Sequence, residues 1–187
     1  QEVTGTQDMA QFTNNTFTRV SANVAATTAF TNVGSSTNQL RFISDGASGT
    51  TFTRLVDTSS DELTIGAHTD AAATLVALTA ANEETINVTG GAIDSALDMV
   101  ITTLTAEDLV TLNVSGAQNT DIAAIAAQTT ATLTTVDASS ASGTVDITAS
   151  NATLALTMTG AAAKANTLIG GTGADTITGG SAADTLT

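Results

Sequence analysis

Cysteine, proline, tryptophan and tyrosine are absent from this sequence, and histidine occurs once, at His68. Without cysteine the chain can form no disulfide and no thiolate metal site. His68 has no partner at the spacing of a catalytic motif, so we interpret it as a surface-loop residue. The motifs of metalloproteases, nucleophile elbows and phosphate-binding loops are also missing. We therefore expect a protein that is not an enzyme.

Basic residues are scarce too. Four lysines and arginines stand against 18 aspartates and glutamates, which gives a formal net charge of −14. A basic surface for nucleic acid is excluded, and attraction to anionic lipid is disfavoured. No apolar run approaches the length of a membrane span, so we expect no membrane insertion. The surplus carboxylates should attract divalent cations.

The residues that are present favour short strands. Apolar residues make up 42% of the chain, which argues against a disordered polyelectrolyte. Threonine, which is abundant, is β-branched and suits a pleated surface. The five phenylalanines and three of the four basic residues fall within residues 1–60. We expect this segment to form a β-rich cap or small subdomain, with its phenylalanines in the core and its arginines in local ion pairs.

A loose repeat begins near residue 61. Acidic pairs at Asp61-Glu62, Glu83-Glu84 and Glu107-Asp108 recur at a nearly constant interval, and each opens a segment in which aliphatic and polar residues alternate. Alternation with period two indicates strands with one buried face. We therefore predict a β-solenoid over residues 61–165, with loose coils of about 22–26 residues each.

One inward aliphatic residue per strand can be assigned along this solenoid, at a spacing that shortens towards the C-terminus. The assigned ladder is Ile65, a Leu or Val near position 76, Val88, Ile101, Val114, Ile125, Val136, Ile147, Met158, Leu168, Ile177 and Leu186. Coils should therefore tighten in the same direction.

Two features of this region have open interpretations. The acidic pairs are expected to be solvated residues at strand starts, and a second row of weak calcium sites is the alternative. Residues 120–128 have both helical spacing and strand character, and Ala92 to Leu97 could hold a helical turn.

The segment 166–187 carries the sharpest motif. Residues 170–178 read G-G-T-G-A-D-T-I-T and fit the nonapeptide G-G-x-G-x-D-x-U-x, where U is a large aliphatic residue. Residues 179–187 repeat it with Ala182 in place of the third glycine, and a worn copy before them has Asn166 at the acidic position. Glycine permits tight turns and close backbone approach. Aspartate and turn carbonyls supply the hard oxygens that Ca²⁺ prefers.

This pattern resembles the RTX family of secreted calcium-binding β-rolls, and a Gly/Thr-rich linker is the alternative interpretation. The resemblance implies that two nonapeptides make one coil and that Ca²⁺ lies between loops stacked one coil apart. Asn166 and Asp184 would then share one edge, and Asp175 would lie on the other and share its ion with a loop near position 193. The implied calcium-site residues are Asp175, Asp184, Asn166, Gly171, Gly173 and Gly180.

The resemblance also implies a fold and a location. We expect an all-β chain in which a parallel β-solenoid tightens into a C-terminal RTX β-roll at residues 166–187. Lys164, the only lysine, is expected to meet Asp184 or loop carbonyls in place of an ion. The Thr/Ala-rich lead-in is most similar to the S-layer and large-adhesin branch that is exported by type I secretion to the bacterial cell surface.

Three functions follow from this resemblance. The first is a structural protein of an extracellular surface layer or filament, whose partner is a second copy of itself and which folds and assembles with calcium. The second is a calcium-dependent adhesin stalk or binding module, with a cell-surface glycan as a candidate partner. The third is the RTX tail of a secreted enzyme.

Overall fold

The computed structural model describes residues 5–12, 17–22, 27–42, 49–67, 73–90 and 98–187. This part of the chain contains 17 β-strands and one 3₁₀ turn, Met9–Gln11. The strands are β1 Gly5–Asp8, β2 Arg19–Ala22, β3 Thr28–Val33, β4 Gln39–Phe42, β5 Thr50–Arg54, β6 Glu62–Ala67, β7 Ala73–Thr79, β8 Thr85–Gly90, β9 Met99–Thr105, β10 Thr111–Gly116, β11 Thr120–Ile122, β12 Thr135–Ala141, β13 Val145–Thr148, β14 Thr157–Thr159, β15 Thr167–Ile169, β16 Thr176–Thr178 and β17 Thr185–Leu186.

The strands alternate between two sheets. The nine odd-numbered strands form one sheet in sequence order, and the eight even-numbered strands form the other. Neighbouring strands pair in parallel, as β6 does with β8 and β13 does with β15. Each turn of the chain thus adds one strand to each sheet, which defines a parallel β-solenoid and confirms the predicted fold class.

The two sheets run through the whole described chain. In the segment 1–60, strands β1–β5 pair with each other, and β4 and β5 pair with β6 and β7 in the same two sheets. These strands therefore form the N-terminal end of the solenoid. Three phenylalanines of this segment, Phe30, Phe42 and Phe52, are buried between the sheets as expected, whereas Phe12 is 40% exposed.

Aliphatic side chains, most of them buried, stack in columns between the sheets. One column of the even-numbered sheet contains Leu63, Ile86, Leu112, Val136, Met158 and Ile177. The facing column of the odd-numbered sheet contains Leu75, Ile101, Ile122, Ile147, Leu168 and Leu186. Each fully buried aliphatic side chain contributes about 1.5–3 kcal/mol through removal of its surface from water. This apolar interior is the hydrophobic core of the solenoid.

Coil length falls along these columns. Ile86 pairs with Leu112 across a long coil, whereas Leu168 pairs with Leu186 across a much shorter one. The early strands bury two aliphatic residues each, such as Ile86 and Val88 in β8, and the short strand β14 buries one residue. The predicted tightening towards the C-terminus is therefore confirmed.

The named ladder residues from Ile101 to Leu168 are buried, but the ladder changes column at two places, Val114 and Ile125. Val136 lies opposite Leu112 rather than Val114, which continues a second column with Ile65 and Val88. Ile122, not Ile125, continues the column between Ile101 and Ile147. Early strands offer two inward positions two residues apart, so alternation alone leaves both registers open.

Residues 120–128 follow the strand alternative. Residues 120–122 form β11, and Ile125 makes an isolated parallel bridge to Leu104. The helical turn considered at Ala92 to Leu97 lies outside the described residues, and so does His68, which the sequence analysis interpreted as a surface-loop residue.

Candidate metal centre

The side chains at positions 166, 175 and 184 each close their own turn. Asp175 Oδ2 accepts a hydrogen bond from the Gly171 amide at 2.9 Å, and Asp184 Oδ2 accepts one from the Gly180 amide at 2.8 Å. Asn166 Oδ1 accepts from the Ala161 amide at 3.0 Å. The acidic position of the nonapeptide therefore orders the tight turn that precedes each short strand.

The second oxygen of each aspartate reaches the preceding coil. Asp175 Oδ1 accepts from the backbone amide of Leu156 at 2.9 Å. Asp184 Oδ1 accepts from both the backbone amide and the side-chain amide of Asn166, each at 2.8 Å. Each carboxylate thus links two turns that are stacked one coil apart. As expected, Asn166 and Asp184 share one edge and Asp175 lies on the other.

These hydrogen bonds favour the charged form of Asp184. The backbone N–H of Asn166 lowers the pKa of this carboxyl below its ordinary value, and the Asn166 side chain and the Gly180 amide act in the same direction. Burial opposes them only in part, since the aspartate is partly exposed. The carboxylate is ionised at neutral pH and can attract a cation.

The three predicted site glycines are needed for close stacking of the turns. A Cβ on Gly171 would collide with the carbonyl oxygen of Ala152, and a Cβ on Gly173 would collide with that of Leu154. On the other edge, a Cβ on Gly180 would collide with the carbonyl oxygen of Ala161. Only glycine lets backbone oxygens of one loop lie directly against the next loop.

The donor set at Asp175 and Asp184 suits a hard cation. Each position combines a carboxylate with carbonyl oxygens of the adjacent loop, which are the ligand types that Ca²⁺ takes. Asp175 would act with the loop containing Ala152 and Leu154, and Asp184 with the loop containing Ala161 and Ala162. Asn166 is different, because its carboxamide supplies no negative charge and its nitrogen faces Asp184.

Lys164 does not act as expected. Its side chain forms no ion pair with any described residue, and the residue is exposed. What enters the turn is the backbone carbonyl of Lys164, which accepts from Asn166 Nδ2 at 2.8 Å. The partly positive group that faces Asp184 at this edge is the side-chain amide nitrogen of Asn166, not the ammonium group of Lys164.

Two members of the acidic pairs differ from the expectation of solvated side chains, whereas Glu62 is exposed as expected. Asp61 is 8% exposed, and Glu83 is fully buried. Glu83 binds Arg54 through two hydrogen bonds of 2.8 Å, from Nε and from an Nη. Burial raises the pKa of Glu83, and the Arg54 guanidinium opposes that shift. An ion pair within the chain, rather than with a neighbouring molecule, is therefore found at Arg54.

Arg54 ties three coils together. Its remaining donors bind the carbonyl oxygens of Thr37 at 2.7 Å and Glu62 at 2.8 Å, and its guanidinium lies 4.9 Å from the centre of the Phe52 ring. The sequence alone did not predict that Arg54 and Glu83 form an ion pair. Arg54 and Glu83 are distant along the chain and pair only once the register of the coils is known.

A second group of carboxylates lies on the outside of the solenoid. Oxygen atoms of Asp57, Glu84 and Asp108 lie within 4.8 Å of one another. Burial raises the pKa of Glu84, and the neighbouring charges of Asp61 and Asp57 add to the shift. The structure therefore stacks members of two acidic pairs one coil apart, and it adds Asp57, which the sequence analysis missed because Asp57 belongs to no pair.

Comparison with known protein families agrees with the class of site that the turns define. Residues 162–187 match a family model described as the RTX calcium-binding nonapeptide repeat (4 copies). No curated protein and no solved structure matches the chain. RTX nonapeptide repeats bind calcium, so Ca²⁺ is the cofactor of this segment, and such repeats occur in secreted proteins.

Among the described residues, no helix has the length and apolar character needed to cross a membrane.

Proposed function

We propose that this chain is a structural segment of an extracellular surface layer or filament, which folds and assembles with calcium. The matching repeats support a calcium-dependent extracellular structural or binding module. The single observation that carries the proposal is that the carboxylates of Asp175 and Asp184 each join two stacked turns. An ion bound by such a carboxylate would act on the contact between coils, where it couples metal binding to folding.

The coupling follows from charge. With a net charge of −14, the chain repels itself, and stacked acidic turns concentrate that repulsion at the coil edges. In a medium poor in calcium, the C-terminal coils would be held by hydrogen bonds and a thin core alone. Ile177 is only partly buried, and Leu186 is 43% exposed. Calcium outside the cell would add the missing attraction.

Assembly would use the ends of the solenoid. Strands β16 and β17 are the last in their sheets, and each has a strand partner on one side only among the described residues. A backbone edge of this kind can continue into a further strand from the same chain or from a neighbouring molecule. Repeat architectures of this type stack in one dimension.

The adhesin stalk is the second candidate, and the exposed face of the even-numbered sheet favours it. Asn113 Nδ2 donates to Asn87 Oδ1 at 2.8 Å, and Asn87 Nδ2 donates to Glu62 Oε1 at 2.6 Å. Thr89 and Ser115 lie beside this row on the same strands. Fixed amide and hydroxyl groups at the coil spacing suit a polar polymer such as a cell-surface glycan.

Negative-stain electron microscopy with circular dichroism tests the proposal. With millimolar calcium, we expect sheets or fibres and an increase in strand signal, and with chelator we expect dispersed particles. A stalk would gain strand signal with calcium but remain monomeric, as size-exclusion chromatography would show. An enzyme tail is expected to do neither alone. If chelator changes neither the strand signal nor the assembly, the proposal is wrong.

A further inference from the structure

Asn166 makes hydrogen bonds through both polar atoms of its side chain inside the C-terminal edge. The residue is 2% exposed. Its Oδ1 accepts from the Ala161 amide, and its Nδ2 lies 3.0 Å from the Ala161 carbonyl oxygen, 2.8 Å from the Lys164 carbonyl oxygen and 2.8 Å from Asp184 Oδ1. Two carbonyls and one carboxylate thus converge on a single nitrogen atom.

That set of three oxygens is of the kind that surrounds calcium. Ca²⁺ is bound by carbonyl and carboxylate oxygens of loops, at distances of about 2.3–2.6 Å. Here the same atom types face the partly positive N–H groups of an amide instead. The side chain also fills the available space, because a Cβ on Gly160 would lie only 2.8 Å from Asn166 Cγ and Nδ2. An ion and the amide could not occupy this position together.

At the Asp175 edge, no side-chain amide of the described residues takes the position that Asn166 has beside Asp184. Asp175 receives hydrogen bonds from the backbone amides of Gly171 and Leu156, and no side-chain amide of the described residues donates to it. The turns also differ in length: Gly160 precedes Asn166 by six positions, whereas Gly170 precedes Asp175 by five. The longer turn brings the Lys164 carbonyl to the amide of Asn166.

We propose that the Asn166 carboxamide replaces a calcium ion and links the turn at residues 161–166 to the turn at residues 180–184 without metal. Under this proposal Asn166 is not a calcium ligand, in contrast to what the sequence resemblance implies. The inference deepens the proposed function and rests on it, since it assigns calcium dependence to the Asp175 edge and metal-independent stability to the Asn166 edge. The last coil then has a permanent contact from which calcium-driven closure of the other edge can proceed.

Two equivalent hydrogen bonds allow an internal comparison. The backbone amide of Leu156 donates to Asp175 at 2.9 Å, and the backbone amide of Asn166 donates to Asp184 at 2.8 Å. Amide hydrogen exchange followed by NMR on the whole chain, with calcium and with chelator, reports each bond separately. We expect chelator to increase exchange at Leu156 and to leave exchange at Asn166 unchanged.

The substitution Asn166→Asp makes the test sharper. It replaces the donating nitrogen with a charged oxygen beside Asp184 Oδ1, so the edge should repel itself in chelator. We expect exchange at residue 166 to rise by about tenfold or more in chelator and to recover with calcium. Asn151→Asp is the matched control, because Asn151 is exposed and its Nδ2 donates to the Ile125 carbonyl oxygen, with no carboxylate among its recorded hydrogen-bond partners.

The outcomes distinguish failure of the metal-free link from failure of the calcium-dependent function. If chelator increases exchange at the backbone amide of Asn166 in the unaltered chain as much as at the backbone amide of Leu156, the metal-free link is wrong. The calcium-dependent function then stands. If Asn166→Asp responds to calcium no more than Asn151→Asp does, the link is also wrong. If the Asn166 amide stays protected in chelator and Leu156 shows no calcium response, the link stands and the proposed calcium-dependent closure of the Asp175 edge fails.

Discussion

Arg54 shows how much a single residue can hold together in a solenoid. Its side chain is buried, and it binds the carboxylate of Glu83 and backbone oxygens of residues 37 and 62. A buried charge is tolerated only when its donors and acceptors are paired, and here the partners come from three successive coils. The network therefore opposes any slip in register between these coils.

Removing this arginine should be costly. Arg54→Ala leaves the carboxylate of Glu83 buried without its partner, which we expect to reduce the free energy of unfolding by about 3–5 kcal/mol. Chemical denaturation followed by circular dichroism measures the loss. Arg19→Ala is the control because Arg19 is exposed on β2, and it should change stability by less than about 0.5 kcal/mol. Equal stability of the two variants would contradict the role given to Arg54.

The glycines of the last turns give a second prediction for single residues. Gly171→Ala places a Cβ against the Ala152 carbonyl oxygen, so the two loops must separate. We expect a loss of about 1–3 kcal/mol, confined to the C-terminal coils, in thermal melts and hydrogen exchange. Gly34→Ala should be close to neutral, because a Cβ there meets no atom within 4 Å. A Gly171→Ala variant with unchanged C-terminal protection would show that the stacked loops are not in close contact.

Among the elements, the strands explain what the sequence could and could not predict. Period-two alternation identified the strands, and the resemblance to the RTX repeat implied the edge shared by Asn166 and Asp184. The exact register was beyond reach, because Leu112 and Val114 are equally plausible inward residues. The burial of Glu83 was also beyond reach, since it depends on Arg54, which is distant along the chain. Local pattern gives the element, whereas contacts between coils decide the partners.

The turn ahead of β17 predicts a dependence on pH. The pKa of Asp184 is lowered in the folded chain, mainly by hydrogen bonds from Asn166. The stabilisation is therefore complete above the pKa of an unfolded aspartate, about 3.9, and is lost as the pH falls through the lower folded value. We expect the backbone amide of Asn166 to stay protected from hydrogen exchange between pH 7 and about pH 4, and to lose that protection at lower pH.

Amide exchange, corrected for its intrinsic pH dependence, measures this transition. Asp184→Asn removes the titrating group, so the variant should show no change in protection at residue 166 over the acid range. Loss of protection between about pH 7 and pH 5 in the unaltered chain would contradict the assignment, because an aspartate with a lowered pKa does not titrate there.

At the scale of the whole molecule, two kinds of stabilisation follow each other along one axis. The early coils bury two aliphatic columns per strand and contain the Arg54 network, so they need no ion in this account. The last coils are shorter, bury less and place carboxylates at their edges. The solenoid thus changes from stabilisation by its core to stabilisation by its turns, and calcium has its effect at the second part.

Isothermal titration calorimetry with calcium tests this central claim most directly. We expect the unaltered chain to bind calcium and the double variant Asp175→Asn with Asp184→Asn to lose that binding. Asp137→Asn is the matched control, since it removes a charge from β12 while an amide oxygen can still accept from the Ser139 amide. Calcium binding that is absent from the unaltered chain, or that persists undiminished in the double variant, would contradict the account.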